Sequence, residues 1–557
     1  MPVSLVRTSD VLAKPEPFTS PLTDYLRLLI LLIPTIAAIL ARPGFITQDG
    51  PAHVYNAEIL RQTLTPFHGA QAFPLTAFDT RLEPLPNWAG HATLIGLLSV
   101  LPARAADQAM IVLTLIGPAA LCIWLARTVR GGSLPWPMVI LCALLGLNWL
   151  WLLGFYSFLL GSMAFLLTVG CWWRLRDQPG PRLGLLVGLL MIVGYFCHPI
   201  SLTLTVLALG VLCLSSTGKG WLTRALWTVI GFTPLIPLGL TYRRLMGAGG
   251  ELAPTWAGFS KGFGLASVAE RLLWIEPITL GRRTALPFAS SESRLNGLAA
   301  PALWLGLGLL FYCWKRQCRS PRPWFLASAA LLGLAFLAPD SMGPTHGHYL
   351  TQRVVWLGLM LLVPALATVG GNGGPSPRSL RLPTACLGIA LVVQTAFVWD
   401  YARESNRLFD AYTKALPAVG QKQRLAGLFL DLRGRFRANP LVHLDCWLGV
   451  GTQNVVWSNY EAAYYYFPVR VRPGPDTPPI REFEAISIMD APKDAPERLA
   501  RWTTLLDTYH PAIDRLVLWG HNPELERATE KEYTRTLNGT FLQVWARRNP
   551  HKNGDEP

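Results

Sequence analysis

The sequence predicts an α-helical polytopic membrane protein of about eleven transmembrane helices, followed by a soluble C-terminal α/β domain. Three observations support this fold class. Hydrophobic residues make up 51% of the 557 residues and charged residues only 15%, against about 25% in soluble proteins. Long apolar runs recur between residues 25 and 399, separated by short basic connections. After Asp400, charged and amide residues become frequent and no further apolar run occurs.

The N-terminal segment, residues 1–22, is polar, and the first apolar run follows it at Tyr25–Leu40. No small-residue cleavage pattern ends this run, so we expect an uncleaved membrane span rather than a signal peptide. The transmembrane domain covers residues 23–399. Its further apolar runs are 107–126, 134–152, 154–173, 183–197, 200–214, 225–241, 298–314, 323–338, 353–369 and 383–399.

Several of these runs are shorter than the ~20 residues that cross the hydrocarbon core. The stretches 134–173 and 183–214 can therefore each be one bent helix or two helices. Asn148 with Gly154, and His198 with the proline that follows it, are suitable breaks, so we predict two helices in each stretch.

The excess of basic residues indicates which connections are cytoplasmic. Lysine and arginine number 49 against 34 acidic residues, and they gather between apolar runs instead of along one polar face, which argues against nucleic-acid binding. With a cytoplasmic N-terminus, all the basic connections fall inside, as the positive-inside rule requires. These connections are Arg127–Arg130, Arg174–Arg182, Lys219–Arg224, Lys315–Arg322 and Arg378–Arg381.

The number of spans agrees with this orientation only if the segment 83–101 does not cross the membrane. Its short apolar core and its tryptophan fit a helix that lies in the interface. The outer side then receives the loops 42–106, 242–297 and 339–352 and everything after residue 399. We therefore expect residues 400–557 to form an extracytoplasmic C-terminal domain.

The C-terminal region has the short mixed runs typical of strands and one longer helical pattern. We predict strands at Leu441–Leu444, Asn454–Trp457, Tyr464–Val471 and Arg515–Trp519, and a helix at Pro496–Tyr509. The expected fold is α/β. The aromatic stretch 458–468 is interpreted as packing of this domain on the membrane unit.

The most distinctive local pattern comes directly after the first span, at residues 47–60. Pro51 favours the start of a short helix, which leaves Asp49 at the positive helix end and at the membrane edge. An acid placed only to suit the helix dipole is the simplest interpretation. A carboxylate at the bilayer edge beside His53 and Glu58 is costly, however, and this favours a functional role.

The acidic residue after the first span, the juxtamembrane pattern Tyr55-Asn-Ala-Glu-Ile59 and the acidic-proline segment Glu83-Pro84 before Asn87-Trp88 resemble the GT-C membrane glycosyltransferases. The likeness is to their protein-mannosyltransferase and aminoarabinose-transferase-like branch. It implies a polyprenyl-phosphate-linked sugar as donor, with Asp49 as the acid that deprotonates or orients the acceptor. His53, Glu58 and Glu83 are then expected to contact the acceptor or the sugar. The chain departs from the branch at Gly50 and Glu83, where Glu and Lys are often found.

Sugar transfer from a phosphate also requires cations that hold the leaving group. An arginine at the start of the 353–369 run resembles the family's lipid-phosphate ligand, although a snorkelling anchor remains an alternative. The expected donor-phosphate ligands are Arg353, His346, His348, Tyr349, Arg243 and Lys261.

Two further outer features allow two interpretations each. His198 can touch the lipid or acceptor, or can serve only the helix break. The aromatic group around Trp149, Phe155 and Phe158 can form an interfacial belt or line a path for the substrate, and we favour the belt.

A metal site is not predicted. His346 and His348 offer half of one, with Asp340 or Asp49, but no complete ligand set is visible, so a divalent metal is left as an open alternative. No cofactor is expected with certainty.

The sequence therefore predicts a glycosyltransferase at the bacterial inner membrane. It would move a sugar from a polyprenyl-phosphate-linked donor to a protein, lipid or glycan acceptor on the outer face, with the donor and membrane lipids as partners. One alternative is a non-catalytic GT-C-like binder of lipid-linked glycans. Another is a transporter or flippase, for which inverted repeats and mid-membrane charges are expected.

Overall fold

The computed structural model describes residues 22–64, 72–248, 296–317, 322–337, 349–367, 378–474, 477–488 and 495–548, apart from the single positions 217, 219, 431, 433 and 437. The membrane unit is helical. Its helices are α1 Leu22–Leu40, α2 Gly50–Leu64, α3 Trp88–Leu98, α4 Ala103–Arg130, α5 Trp136–Gly146, α6 Trp149–Leu152, α7 Tyr156–Leu175, α8 Pro181–Cys197, α9 Pro199–Ser215, α10 Trp221–Gly231, α11 Leu235–Ala248, α12 Asn296–Gln317, α13 Arg322–Leu337, α14 Leu350–Leu366 and α15 Arg381–Val419.

Among the described residues, six helical stretches are long and apolar enough to cross a membrane. They are Leu22–Leu40, Ala103–Arg130, Tyr156–Leu175, Trp221–Met246, Leu298–Lys315 and Arg381–Val419. The predicted apolar runs fall on helices, except that 134–152 and 225–241 each cover parts of two, and the number of crossings stays a prediction. Large apolar side chains on the outside of α1, among them Leu26, Ile30 and Ile33, are exposed, as lipid contact requires.

The predicted breaks are confirmed. Helix α5 ends at Gly146, and the Asn148 side chain then accepts a hydrogen bond of 2.8 Å from the backbone N–H of Trp151, which caps α6. Gly154, at φ +80°, separates α6 from α7. Likewise, α8 ends before His198, whose extended backbone begins α9. The predicted run 134–152 was therefore too long for one helix.

At one end of the bundle, Asp24 joins three segments of the chain. This buried carboxylate pairs with the guanidinium of Arg127 and accepts the N–H of Leu134 at 3.0 Å. The start of α1, the end of α4 and the residues before α5 therefore meet at the end that the charge pattern predicts to be cytoplasmic.

Helix α15 runs without interruption through the position where the composition changes. It continues to Val419, so the boundary expected at residue 400 falls inside a helix. The change at Asp400 thus marks the end of the apolar stretch of the helix.

Beyond α15 lies a five-stranded mixed sheet. Its strands are β2 Arg424–Phe429, β3 Val455–Val456, β5 Arg515–Trp519, β6 Tyr533–Asn538 and β7 Leu542–Arg547. Across the sheet, their order is β3-β2-β5-β7-β6. Strand β2 pairs in parallel with β3 and β5, whereas β7 is antiparallel to β5 and β6. In the described part of this region, the sheet is accompanied by the helices α16 Ile480–Ile488, α17 Ala495–Tyr509 and α18 Pro523–Thr529.

The strand predictions were partly right. Strand β5 has the predicted bounds, and α17 confirms the predicted helix. The prediction at Leu441–Leu444 was wrong, because this segment is a turn that leads into a 3-10 helix at Leu444–Gly449. Leu441 and Leu444 are buried, and a short apolar run does not distinguish a buried turn from a buried strand. Of the predicted strand at 464–471, the structure forms a strand at Val469–Val471.

A second, two-stranded sheet joins the segment between α2 and α3 to the C-terminal region. Strand β1, Phe78–Thr80, pairs antiparallel with β4, Val469–Val471, with Phe78 opposite Val471. The first loop and the C-terminal domain therefore form one layer at the same end of the bundle.

Candidate active site

Asp49 is positioned by backbone pairing with the turn between α6 and α7. The N–H groups of Gln48 and Asp49 each donate to a carbonyl of that turn, Leu152 and Leu153, at 3.0 Å. Gly154 completes the turn at φ +80°, and a Cβ there would lie 2.6 Å from the Thr47 hydroxyl oxygen. Only glycine combines this backbone conformation with this close approach.

Helix α15 holds the same loop from the other side. The Ser405 hydroxyl accepts the N–H of Ile46 at 2.7 Å, and the Tyr401 hydroxyl donates to the Ile46 carbonyl at 2.9 Å. The loop that carries Asp49 is thus fixed between two parts of the bundle.

The Asp49 side chain is 7% exposed. Burial raises its pKa to about 6, and the negative charge of Glu461 raises it as well, while the His53 charge and hydrogen bonds from Gln48 and Tyr460 oppose the rise. A carboxylate with this pKa is mostly ionised at neutral pH and is more basic than a free aspartate. Such a group is suited to accept a proton from a bound nucleophile.

Next to Asp49, two histidines from two helices meet one carboxylate. His53 Nδ1 pairs with Glu461 Oε1, and His91 Nε2 lies 2.8 Å from Glu461 Oε2. His53 belongs to α2, His91 to α3, and Glu461 to a 3-10 turn at Tyr460–Ala463 in the C-terminal domain. All three residues are buried.

Glu461 is ionised in this cluster. Burial alone would raise its pKa, but the two imidazoles together outweigh burial and lower the pKa to about 2. For His53, burial is the largest single effect and lowers the pKa, but the interactions with Glu461, Asp49 and the Gly154 backbone together raise it, so that the net shift is upward. Two imidazoles and one carboxylate are also a donor set that a metal ion can use.

The remainder of α2 docks on the C-terminal domain. The Glu58 carboxylate accepts the N–H of Gly451 at 3.0 Å, and burial raises its pKa. Asn56 exchanges side-chain amide hydrogen bonds with Asn459. Because Glu58 lies nine residues after Asp49, about 13 Å along the helix axis, the structure does not bring the two carboxylates together.

The other predicted contacts are scattered. Glu83 is half-exposed, with Oε2 3.9 Å from Nη1 of Arg81, and Arg243 is exposed on α11. Lys261, His346 and His348 lie outside the described residues.

Arg353 lies in the first turn of α14 and is 7% exposed. Its Nη1 is 2.9 Å from His198 Nε2, and its guanidinium sits over the rings of Phe155 and Phe158 at 4.5 and 5.0 Å. Its Nε has no hydrogen-bond partner among the described residues. Arg353 is close enough to Asp49 for an electrostatic interaction, so the structure brings these two predicted residues together.

The aromatic residues of the neighbouring turn surround Arg353. Tyr349, at φ +58°, packs edge-on against Trp149 at 4.8 Å and lies 6.0 Å from Phe155 between ring centroids. Trp149 and Phe158 are buried, which differs from the exposed position expected of an interfacial belt. His198 serves the helix break, since its Nδ1 accepts the Ile200 N–H at the start of α9, and its Nε2 contacts the arginine. Contact of His198 with the lipid or the acceptor stays a prediction.

The sequence analysis did not name several residues around Asp49. The Tyr156 hydroxyl donates to the buried Asp107 carboxylate at 2.9 Å and lies 3.0 Å from the Thr47 hydroxyl. Asp107 stands at the edge of an apolar run, and an ionisable residue there is a recognisable signal. His91 and Glu461 have no such local signal, because only the fold brings them to His53.

The overall fold of the chain can be compared with solved structures. This chain is similar to ArnT. The crystal structure of ArnT from Cupriavidus metallidurans in the apo state matches with a TM-score of 0.46 and 10% sequence identity, over 95% of this chain and 98% of that chain. No protein-family model and no curated protein matches the chain. The roles of individual residues rest on this chain's own geometry.

Proposed function

We propose that this chain is a membrane glycosyltransferase of GT-C type that moves a sugar from a polyprenyl-phosphate-linked donor to an acceptor. The observation that carries the proposal is a buried cation, Arg353, beside a buried base, Asp49, at the end of an apolar helix bundle.

Arg353 supports the donor half of the proposal. Its direct contacts among the described residues are an imidazole nitrogen and two aromatic faces, and its interaction with the Asp49 carboxylate is electrostatic, without a hydrogen bond between them. Burying a charge that has no directly bonded counter-ion is costly, so the site gains stability when an anion binds. A phosphate at the end of a prenyl chain supplies that anion, and the apolar surroundings suit the chain. Tyr349 belongs to the same subsite.

Asp49 supports the acceptor half. In the proposed reaction, an acceptor oxygen or nitrogen forms a bond to the anomeric carbon of the sugar while Asp49 takes its proton. The bond from that carbon to the phosphate oxygen breaks, and the polyprenyl phosphate leaves with the electron pair. Arg353 stabilises the charge that develops on the phosphate. His53 would lie at the acceptor side of Asp49.

The proposal places the site on the outer face of a bacterial inner membrane, with the C-terminal domain on the same side. The opposite end of the bundle carries Asp24 and Arg127 and the basic connections.

The test is transfer of labelled sugar from a panel of polyprenyl-phosphate donors by membranes that contain the wild type or a variant. We expect Asp49→Asn to lower the rate about 10²–10⁴-fold, the usual contribution of a general base. Asp177→Asn is the matched control, because that carboxylate is exposed at the opposite end. Full activity in Asp49→Asn would refute the assigned base. Donor binding with no turnover in the wild type would instead favour a non-catalytic glycan binder.

A further inference from the structure

His53, His91 and Glu461 converge although they lie far apart in the sequence. Their ligand atoms all lie within 4.8 Å of one another, and all three residues are buried. Glu461 uses both carboxylate oxygens, one toward each imidazole. We propose that these three side chains bind a divalent transition-metal ion, Zn²⁺ in the first instance, and thereby join the first outer loop to the C-terminal domain.

The orientation of the two imidazoles supports this assignment. His53 directs Nδ1 and His91 directs Nε2 to the two oxygens of the same carboxylate. Each imidazole therefore presents one ring nitrogen to the point where the ion would lie. A metal ion that binds there takes the place of the protons that these groups share.

The donor set indicates the class of metal. Two imidazole nitrogens and a carboxylate oxygen are typical of zinc and related transition metals, with three protein ligands and a further position for water or substrate. Calcium and magnesium prefer oxygen ligands only. The described cysteines do not belong to the cluster, so a thiolate site is not involved.

Because the three ligands come from separate elements, a bound ion would connect those elements. Helix α2, helix α3 and the turn Tyr460–Ala463 would be tied at one point. A cation there would lie near Asp49, whose carboxylate already interacts with His53 and Glu461. The inference concerns metal binding and does not depend on the proposed transfer reaction.

The test uses the full-length protein in detergent, stripped with EDTA, reloaded with Zn²⁺ and dialysed, with metal content measured by mass spectrometry. We expect stoichiometric zinc in the wild type and its loss in His91→Ala and Glu461→Gln. His443→Ala is the matched control, because His443 is also buried in this region and stacks on Tyr460 without belonging to the cluster. A background in which His346 and His348 are alanine removes competition from that histidine pair.

Two measurements on the wild type keep the test decisive if the variants fold poorly. Added Zn²⁺ should raise the unfolding temperature of the stripped protein, because a ligand that binds only the folded state stabilises it. Co²⁺ should give the visible absorption of a bound, low-symmetry ion. The proposal is overturned if neither occurs and no metal is retained, which would leave a hydrogen-bonded His–Glu–His cluster. Equal retention in wild type, His91→Ala and Glu461→Gln would also overturn it.

Discussion

The hydroxyl of Tyr55 donates a hydrogen bond of 2.7 Å to the backbone carbonyl of Asn454. The same oxygen accepts the N–H of Val456 at 3.2 Å, so one side chain of the first loop joins strand β3 of the C-terminal sheet. Tyr55 belongs to the juxtamembrane pattern by which the family resemblance was recognised. Part of that pattern therefore holds the two units together.

Replacing Tyr55 with phenylalanine should destabilise the protein by about 1–3 kcal/mol, because a buried carbonyl and a buried N–H each lose a partner. Chemical denaturation in detergent measures this change. Tyr509→Phe is the control, since the Tyr509 hydroxyl has no hydrogen-bond partner within the described part of the chain. Equal stability of the two variants would show that this contact does not hold the C-terminal domain.

Replacing Gly154 with alanine should lower the rate of sugar transfer beyond what its loss of folding stability explains. The new Cβ would approach the Thr47 hydroxyl oxygen at 2.6 Å and the Asp49 nitrogen at 3.2 Å, and would displace the proposed base. Gly131→Ala separates this clash from backbone strain, because Gly131 has the same φ of +80° and open space around its Cβ. Each substitution carries a strain cost of about 1–2 kcal/mol. A wild-type rate in Gly154→Ala would contradict the assigned position of Asp49.

Replacing Arg353 with methionine should change stability and lipid binding in opposite directions. Arg353 has no directly bonded counter-ion among the described residues, so its removal should leave the stability of the ligand-free protein unchanged or raise it by up to about 3 kcal/mol, while binding of polyprenyl phosphate is lost. Thermal unfolding with and without the lipid measures both effects. Arg435→Met is the control, since Arg435 is exposed and pairs with Asp400. A large loss of stability with unchanged lipid binding would indicate a structural arginine.

Asp445 should make the stability depend on pH. Burial raises its pKa to about 6, against hydrogen bonds from Ser458 and from backbone N–H groups. The folded state therefore binds the proton more tightly than the unfolded state, whose carboxyl has a pKa near 3.9. The stabilising contribution is full below about pH 4 and is lost as the pH rises to about 6.

Asp445→Asn should consequently raise the stability at pH 7 by on the order of 2 kcal/mol and flatten its decline between pH 4 and 6. Unfolding temperatures measured across this range test the sign. Asp507→Asn, at an exposed position on α17, should leave the profile unchanged. If Asp445→Asn instead destabilises the protein at pH 7, the ionised carboxylate is required by its hydrogen bonds.

The sequence was informative where one segment determines its own structure. The apolar runs predicted where the helices lie, and Gly154 and His198 were recognised as breaks because glycine and proline act locally. Asp49 was recognisable from its place after the first span. The relation between Asp49 and Arg353 followed from the topology, which puts both at the same end of the bundle.

The remaining site residues depend on distant parts of the chain. His91 and Glu461 are 370 positions apart, and Glu461 lies within an aromatic stretch that reads as ordinary packing. The sequence does not reveal the contact of Glu58 with the C-terminal domain. Its partner there is the backbone N–H of Gly451, and a backbone group carries no sequence signal. Leu441–Leu444 was misassigned for a related reason, since burial makes a turn as apolar as a strand.

Helix α15 fixes the distance and the relative rotation between the apolar helix bundle and the five-stranded sheet. Its 39 residues span about 58 Å, roughly twice the thickness of the hydrocarbon core. Each residue added between 400 and 419 would lift the sheet by about 1.5 Å and rotate it by about 100°. A one-residue insertion would therefore turn β4 away from β1 and Glu461 away from both histidines. The length of this helix thus determines whether the C-terminal domain can pair with the segment between α2 and α3.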